Sequence, residues 1–177
     1  TCFAFVGDST FFASAITGVV NAVYNQANMV LVVLDNSTTA MTGHQPHPGT
    51  GRTVMGEIVQ KINIEQVLRG IGVTEIETIN PLELEASVSC VKRMAEKSGV
   101  RAIIFKAPCI AVTRPKAPLH VDQDSCIGCK KCIRDLGCPA IVMNDGKICI
   151  DASMCTGCHL CSQVCPVCAI AGGDDHE

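Results

Sequence analysis

Long apolar runs alternate with amphipathic stretches over the first hundred residues of the chain. The runs that read as strands are 2–6, 28–34, 73–79 and 100–107, and the stretches that read as helices are 10–24, 64–70 and 81–97. Continuous Val and Leu runs joined by helices are typical of a parallel sheet that is buried on both faces. The pattern therefore predicts an α/β parallel-sheet domain over residues 1–107, in which Cys2, Cys90 and Cys109 are expected to be buried on or next to apolar stretches.

Polar residues follow the first two predicted strands at the points where they end. Asp8 follows the first strand, and Asn36 follows the second. In open parallel sheets, ligands bind beyond the carboxyl ends of the strands, so both side chains are expected at a ligand edge. The Gly- and Pro-rich segment 37–52 leaves the same edge and is too irregular for a helix or strand, which is typical of a functional loop.

A second, smaller domain is predicted from a change in composition. Residues 108–119 hold three prolines, one arginine and one lysine and are expected to form a linker. Residues 120–171 are rich in cysteine and contain an internal duplication, because three cysteines recur 29 residues later and Val121-Asp122 recurs as Ile150-Asp151 at the same offset. The acidic tail, 172–177, is expected to be frayed.

The cysteine spacing in 120–171 favours two iron–sulfur clusters. In bacterial two-cluster ferredoxins, three cysteines at two-residue spacing bind one cluster and a fourth, followed by proline, binds the other. One 4Fe-4S cluster is then predicted on one set of four cysteines and a second cluster on another set. The first set is Cys126, Cys129, Cys132 and Cys165, and the second is Cys155, Cys158, Cys161 and Cys138.

A zinc ribbon and a disulfide framework are the two alternative uses of these cysteines. A zinc ribbon leaves the third cysteine of each run and both Cys-Pro pairs without a function. A disulfide framework fits less well, since no secretory signal indicates an oxidising compartment. One irregularity distinguishes the repeats: five residues separate Cys132 from Cys138, whereas three separate Cys161 from Cys165.

Composition and charge restrict the possible partners and the compartment. A net charge of -3 and the absence of Trp argue against a nucleic-acid partner. Thirteen cysteines without a signal peptide indicate a reducing cytoplasm, and the predicted clusters indicate an anaerobic setting. Residues 9–34 carry no charge, but several Asn and Gln interrupt the middle of this window, so a membrane span is not expected.

The strand-end residues suit a magnesium–diphosphate site. Mg²⁺ prefers oxygen ligands and often shares them with phosphate, and Asp8, Asn36 and the carbonyl of Thr38 offer three such oxygens. The helix that starts after Ser9 directs backbone N–H groups toward a phosphate. The alternative for Asp8 is a plain helix N-cap.

These residues carry a resemblance to known enzymes. Gly7-Asp8-Ser9, followed 26 residues after Ser9 by Asp35-Asn36, is similar to the thiamine diphosphate motif, Gly-Asp-Gly followed by Asn-Asn. Ser9 and Asp35 depart from that motif. The loop 35–51, Asp-Asn-Ser-Thr-Thr-Ala-Met-Thr-Gly-His-Gln-Pro-His-Pro-Gly-Thr-Gly, resembles the 2-oxoacid:ferredoxin oxidoreductases, most closely the indolepyruvate branch. The resemblance covers the whole chain but only the last part of that family's subunit, and the chain's start at Thr1 suggests that residues precede it.

The resemblance implies cofactors and residue roles. It makes Asp8, Asn36 and Thr38 the Mg²⁺ ligands, and it places Gly7, Ser9, Gly43 and Gln45 against thiamine diphosphate. It places Met41, Thr42 and His44 at the thiazolium ring and the substrate as catalytic residues. His47 is a further candidate imidazole, although ordinary loop histidines bonded to backbone are the alternative for both histidines.

The implied reaction is the oxidative decarboxylation of a 2-oxo acid, with coenzyme A accepting the acyl group and ferredoxin the electrons. The glutamate that sets the aminopyrimidine tautomer comes from another domain in this family, and no glutamate here is expected to replace it. A second subunit or further domains of the same protein are therefore expected partners. A dicluster electron carrier without enzymatic activity, and a pyruvate- or 2-oxoglutarate-specific enzyme of the same superfamily, remain the alternatives.

Overall fold

The computed structural model describes residues 1–172, and the predicted tail lies outside the described residues except for Gly172. The chain divides into two compact units, Thr1–Thr113 and the part that begins at Arg114. The boundary falls inside the segment 108–119 that was predicted as a linker. Leu119, the last residue of that segment, lies in a strand instead, so the second unit begins earlier than expected.

The first unit is built on a four-stranded sheet whose neighbouring strands all run parallel. Its strands are β1 (Cys2–Gly7), β2 (Met29–Asp35), β3 (Glu75–Ile79) and β4 (Val100–Lys106). Their order across the sheet is β1-β2-β4-β3. The register pairs Gly7 with Leu34 and Asp35 with Lys106, so the segments after β1, β2 and β4 leave the sheet at one edge.

The helices cover the sheet on two faces. They are α1 (Asp8–Thr10), a π-helical turn (Phe11–Ala15), α2 (Ile16–Tyr24), α3 (Ile64–Ile71) and α4 (Leu84–Glu96), and a 3-10 turn, Ala40–Thr42, lies in the long loop. Leu31 and Val33 of β2 pack in a core with Phe11, Val19 and Leu68, whereas Val30 and Val32 pack with Cys90 and Met94 of α4. Alternate residues of β2 thus face opposite layers, which is the period-two geometry of a strand.

Burial on both faces holds for β2 and β4 but not for β1. Four consecutive residues of β2 and four of β4 are buried, as the continuous apolar runs predicted. In β1 no residue is fully buried, and Phe5 is 68% exposed. Cys2 is likewise exposed, so its predicted burial was wrong. The physical reason is position, because among the strands described for residues 1–172 β1 lies at the edge of the sheet and pairs with β2 alone.

The first helix begins earlier than the apolar pattern indicated. The predicted helix started at Thr10, but helical geometry starts at Asp8, with Gly7 in the N-cap position. Asp8 is therefore not an N-cap, and its carboxylate is free for a different role. The π turn that follows contains one extra residue per turn, a feature often found at functional sites.

The second unit consists of two short antiparallel pairs and two short helices. Strand β5 (Leu119–Val121) pairs with β8 (Ile170–Gly172), and β6 (Ile141–Asn144) pairs with β7 (Lys147–Ile150). Helices α5 (Lys131–Leu136) and α6 (Leu160–Val164) carry the third cysteine of each repeat. Each strand pair joins one repeat to the other, so the two halves are interleaved. The predicted tail is corrected at Gly172, which is the last residue of β8.

The backbone repeats the sequence duplication. Lys130 and His159, 29 residues apart, both adopt left-handed geometry, with φ of 61° and 60°. The longer loop before Cys138 is compensated after it, since Ala140 and Ala169 both stand eight residues after the third cysteine of their repeat. The carbonyl of Ala140 accepts from the N–H of Asp151 at 2.8 Å, and that of Ala169 accepts from Asp122 at 2.8 Å. The two extra residues therefore shift only the Cys-Pro pair.

None of the helices described for residues 1–172 combines the length and the apolar character that a membrane span needs. The uncharged window 9–34 is divided between the first helices and β2. It therefore belongs to the first unit's core and sheet.

Leu68→Ala tests the core that supports the strand ends. Leu68 is fully buried between α3 and the sheet, so its truncation is expected to lower the free energy of unfolding by about 2–5 kcal/mol. The measurement is urea unfolding of the first unit, followed by circular dichroism. Val54→Ala is the control, since Val54 is 88% exposed and its loss is expected to change stability by less than about 0.5 kcal/mol. Equal effects of the two substitutions would contradict this core.

Candidate functional site

The carboxylate of Asp8 joins the ends of β1 and β2. It is 3% exposed, and its Oδ1 accepts from the N–H of Ser9 at 2.8 Å. Its Oδ2 accepts from the N–H of Ser37 at 2.8 Å, across from β2. Bonds on both oxygens fix the orientation of this buried acid at the predicted ligand edge.

A second carboxylate, that of Asp35, lies beside the first. Its Oδ1 accepts from the N–H and the hydroxyl of Ser37 at 3.0 and 3.2 Å, and its Oδ2 lies 3.5 Å from Nζ of Lys106. Burial raises the pKa of the Asp8 carboxyl; the bond from Ser9 and the nearby His47 oppose this rise, and Asp35 adds to it. Two carboxylates held this close favour a bound cation.

Asn36 and Thr38 supply neutral oxygens at the same edge. The side-chain Oδ1 of Asn36 accepts from the N–H of Thr38 at 3.1 Å, and the buried Thr38 directs its carbonyl to the N–H of Ala40 at 3.0 Å. A carbonyl or amide oxygen has two lone pairs, so each keeps one for a metal. Like the Asp8 carboxylate they are oxygen donors, the type that Mg²⁺ prefers and a softer metal does not.

Ser9 also has a definite contact. The hydroxyl of Thr39 donates to the hydroxyl of Ser9 at 3.0 Å, which ties the long loop to the first turn of α1. Ser9 stands where the thiamine diphosphate motif has glycine, and this bond is one consequence of the substitution. Gly7 precedes it at the end of β1, where an added Cβ would have open space around it.

The predicted catalytic segment, 41–45, lies on an exposed turn. Met41, Thr42, Gly43, His44 and Gln45 are all exposed, and Met41 is fully so. The turn is held by its own bonds: Thr42 Oγ1 donates to Gln45 Oε1 at 2.7 Å, and the N–H of His44 donates to the carbonyl of Thr39 at 2.9 Å. Among the described residues, no side-chain hydrogen bond links this turn to Asp8 or Asn36. The predicted catalytic segment is therefore not bonded to the predicted metal ligands.

His47 behaves differently from His44. It is 8% exposed, and its Nε2 lies 3.2 Å from Oδ2 of Asp8. Asp35 and His47 also border a cavity of about 300 Å³ whose lining includes Lys61, Asn63 and Lys106. Sequence reasoning gave these last three residues no role, since they lie in different elements and share no motif.

The first predicted set of four cysteines lines one cavity of the second unit. Cys126, Cys129, Cys132 and Cys165 surround it, together with apolar residues such as Val121 and Ile170. Burial raises the pKa of Cys132, and the nearby thiols of Cys129 and Cys165 raise it further. The structure therefore brings Cys165, from the second repeat, next to the three cysteines of the first repeat.

The second predicted set lines another cavity. Cys138, Cys155, Cys158 and Cys161 surround it, and burial raises the pKa of Cys161 to about 11, with the other three thiols as further causes. This cavity is about 120 Å³, whereas the first is about 20 Å³. The cavity of the first set is thus the smaller of the two.

Backbone amides point at one sulfur in each set. The N–H of Ala169 donates to Sγ of Cys165 at 3.3 Å, and the N–H of Leu119 donates to Sγ of Cys155 at 3.5 Å. Hydrogen bonds to ligand sulfurs stabilise the reduced, more negative state of a cluster and so tune its potential.

The positions of the cysteines can be compared with the two alternative uses, a disulfide framework and a zinc ribbon. All thirteen cysteines, which lie within the described residues, are free thiols, so no disulfide framework is formed. Within residues 1–172, no three Cys, His, Asp or Glu side chains converge where one metal ion fits. A zinc site needs sulfurs within about 2.3 Å of a single ion, whereas a cubane cluster is larger and takes more widely spaced thiols.

Comparison with known families and proteins gives matches over both units. Residues 1–105 match the family model of the thiamine pyrophosphate enzyme C-terminal TPP binding domain, and residues 119–166 match the 4Fe-4S dicluster domain. An X-ray structure of a suspected thiamin diphosphate-dependent enzyme from Mycobacterium smegmatis covers 62% of this chain and 18% of that chain. Its sequence identity to this chain is 21%, and the TM-score is 0.43.

Curated relatives cover nearly the whole chain. The chain is 46% identical over 170 residues to the indolepyruvate oxidoreductase subunit IorA of Methanothermobacter thermautotrophicus, covering 94% of this chain and 27% of that protein. It is 40% identical over 173 residues to the subunit of the same name from Archaeoglobus fulgidus, covering 94% and 28%. The chain thus spans about 27% of the length of the first of these relatives.

Alkylation of the cluster-loaded chain tests the cysteine sets, and above all whether Cys165 or Cys168, three residues further on, is the fourth ligand of the first set. Cys168 is exposed, so it is expected to react with iodoacetamide under anaerobic conditions at pH 8, as is the exposed Cys2, whereas Cys165 is expected to be protected. Burial and the nearby Glu77 raise the pKa of Cys90 to about 11, so only about 0.1% is thiolate at that pH and it should not react. Peptide mass spectrometry reads out each site, and protection of Cys168 with labelling of Cys165 would reverse the assignment.

Proposed function

Because this chain belongs to the thiamine pyrophosphate enzymes, we propose that it forms part of a thiamine diphosphate-dependent 2-oxoacid:ferredoxin oxidoreductase. The whole enzyme oxidatively decarboxylates a 2-oxo acid, transfers the acyl group to coenzyme A and passes the electrons to ferredoxin. The observation that carries this proposal is the presence in one chain of an oxygen-ligand site at the strand ends and two cysteine-lined cavities. The oxygen-ligand site is suited to the cofactor, and the two cysteine-lined cavities are suited to clusters that export electrons.

We propose indolepyruvate or a related arylpyruvate as the substrate. The support is the wording of the loop 35–51 and the names of the relatives, which are described as indolepyruvate oxidoreductase subunits. A pyruvate- or 2-oxoglutarate-specific enzyme is the alternative within the superfamily. Competition among these 2-oxo acids in the complete enzyme distinguishes them by their kcat/KM values.

At the strand ends, Asp8, Asn36 and the Thr38 carbonyl hold Mg²⁺, and the first turn of α1 faces the diphosphate. The buried Asp8 supplies the negative charge, and its bonds from Ser9 and Ser37 keep the carboxylate oriented. Gly7, Ser9, Gly43 and Gln45 are further cofactor contacts, and Met41, Thr42 and His44 face the reacting groups when the exposed turn is covered. Thiamine diphosphate, when bound, supplies the nucleophilic carbon and the electron sink for decarboxylation.

In the second unit, each cysteine-lined cavity holds one 4Fe-4S cluster. The ligands are Cys126, Cys129, Cys132 and Cys165 for the first, and Cys155, Cys158, Cys161 and Cys138 for the second. The support is that each cavity is lined by three cysteines of one repeat and one of the other, the crossed pattern of two-cluster ferredoxins. Two clusters accept a pair of electrons one at a time.

Asp8→Asn tests the metal site. The substitution removes the charge that binds Mg²⁺ and leaves one of the two N–H donors without a matching acceptor, so Mg²⁺-dependent thiamine diphosphate binding in the complete enzyme is expected to weaken about 100-fold or more. Calorimetric titration measures it. The control is Glu96→Ala, on the exposed end of α4. Wild-type enzyme that binds no thiamine diphosphate would favour the competing function, a dicluster electron carrier.

The isolated 177-residue chain is expected to be inactive. The glutamate that activates the aminopyrimidine comes from another domain in the resembling family. Three of the described glutamates are held in ion pairs: Glu65 with Arg69, Glu75 with Lys97 and Glu77 with Arg93. Substrate-dependent viologen reduction under anaerobic conditions is the measurement. Dithionite reduction of the clusters is its positive control, and detectable turnover by the chain alone would disprove the expectation.

A further inference from the structure

His47 is buried against the proposed metal ligand, although it belongs to a polar loop. Its Nε2 lies 3.2 Å from Oδ2 of Asp8, and both side chains are 4% exposed. The imidazole also stacks on the ring of Phe12, with centroids 5.7 Å apart and an interplanar angle of 30°. The ring is thus held between an aromatic face and a carboxylate.

The backbone of the same loop determines which nitrogen of His47 carries the proton. The N–H of Gly49 donates to Nδ1 at 3.2 Å, so Nδ1 is an acceptor and has no hydrogen. A neutral imidazole with an unprotonated Nδ1 carries its hydrogen on Nε2. The Nε2–H therefore faces Asp8. At 3.2 Å from Oδ2 its angle falls short of a hydrogen bond, so among the described residues Nε2 is a buried polar atom without a hydrogen-bond partner, and a small rotation of the ring or the carboxylate is enough to form the bond.

Several local features hold the ring in this place. The hydroxyl of Thr50 accepts from the N–H of His47 at 3.3 Å and donates to its carbonyl at 2.8 Å. A Cβ on Gly49 would lie 2.9 Å from Phe12 and 3.0 Å from the imidazole, so glycine is required for this close approach. The π turn places Phe11 in the core and its neighbour Phe12 against His47.

We propose that His47 is a positioning residue for the metal site, a neutral imidazole whose Nε2–H donates to Oδ2 of Asp8 and orients that carboxylate toward Mg²⁺. The inference rests on the proposed function and assigns His47 no contact with substrate. Ligating carboxylates are commonly oriented by such outer hydrogen bonds, whose loss weakens metal binding. A neutral donor suits this role, because an imidazolium would repel the cation and reduce the charge available to it.

The test compares His47→Asn with His47→Gln in the complete, anaerobically prepared enzyme. Gln places an amide N–H near the position of Nε2, whereas Asn is shorter and does not reach Asp8. Mg²⁺ is titrated at saturating thiamine diphosphate by calorimetry. His47→Asn is expected to weaken Mg²⁺ binding about 10–100-fold and His47→Gln by less than about threefold, with kcat at saturating Mg²⁺ retained in both. His120→Gln is the histidine control, because His120 is the exposed residue of β5.

Thr50→Val provides a second route to the same measurement. It removes the hydroxyl that fixes the backbone of His47 and leaves the imidazole itself in place, so about a 2–10-fold weaker Mg²⁺ affinity is expected. Spectra of the dithionite-reduced clusters and circular dichroism confirm that each variant is folded. If His47→Asn fails to fold, wild-type Mg²⁺ affinity in Thr50→Val overturns the proposal.

Other outcomes separate this inference from the function on which it rests. Normal Mg²⁺ affinity with a lost kcat in His47→Asn would make His47 catalytic and overturn the positioning role. Weaker thiamine diphosphate binding at saturating Mg²⁺ would indicate a direct bond to the diphosphate and would also overturn it. Wild-type enzyme that binds no Mg²⁺ with thiamine diphosphate would overturn the proposed function itself, and that titration is made first.

Discussion

A single backbone amide holds together the two carboxylates at the carboxyl edge of the sheet. The N–H of Ser37 lies 2.8 Å from Oδ2 of Asp8 and 3.0 Å from Oδ1 of Asp35. This shared donor exists because β1 and β2 are parallel and pair Gly7 with Leu34, so both chains turn away at the same level. Asn36 and Thr38 follow in the same turn, and every proposed Mg²⁺ ligand depends on that register.

The second unit depends on an equivalent constraint, the interleaving of its two repeats. Each strand pair joins the start of one repeat to the end of the other, and the Ala140 and Ala169 carbonyls bind the aspartate of the opposite repeat. The same crossing brings Cys165 to the first set and Cys138 to the second. The first repeat has two extra residues before Cys138 and two fewer between Cys138 and Ala140, so this pairing is not disturbed.

The parts of the fold that could be predicted are those in which one class of residue, apolar or cysteine, recurs in a regular pattern. The runs that form β2 and β4 are apolar without interruption, and the cysteine and Cys-Pro spacing predicted the two sets. The sequence did not predict that the N–H of Ser37 would bond both carboxylates, because a backbone amide has no side-chain signature. Nor did it predict the strands at Leu119 and Gly172, since three-residue antiparallel pairs between residues about fifty apart depend on tertiary contacts rather than propensity.

The two histidines of the loop show how different kinds of order arise within one segment. His44 lies on a turn fixed by its own hydrogen bonds and exposed on its outer side, whereas His47 is fixed by Phe12, Gly49 and Asp8. A side chain held by neighbours in its own unit has its geometry before any partner or substrate arrives. An exposed side chain on such a turn has its backbone fixed locally, but no neighbour in the unit fixes its rotamer. The two ends of the loop therefore differ in kind: His47 is buried against Asp8, which we propose as a Mg²⁺ ligand, whereas the proposed catalytic turn 41–45 is exposed and held only by bonds within the loop.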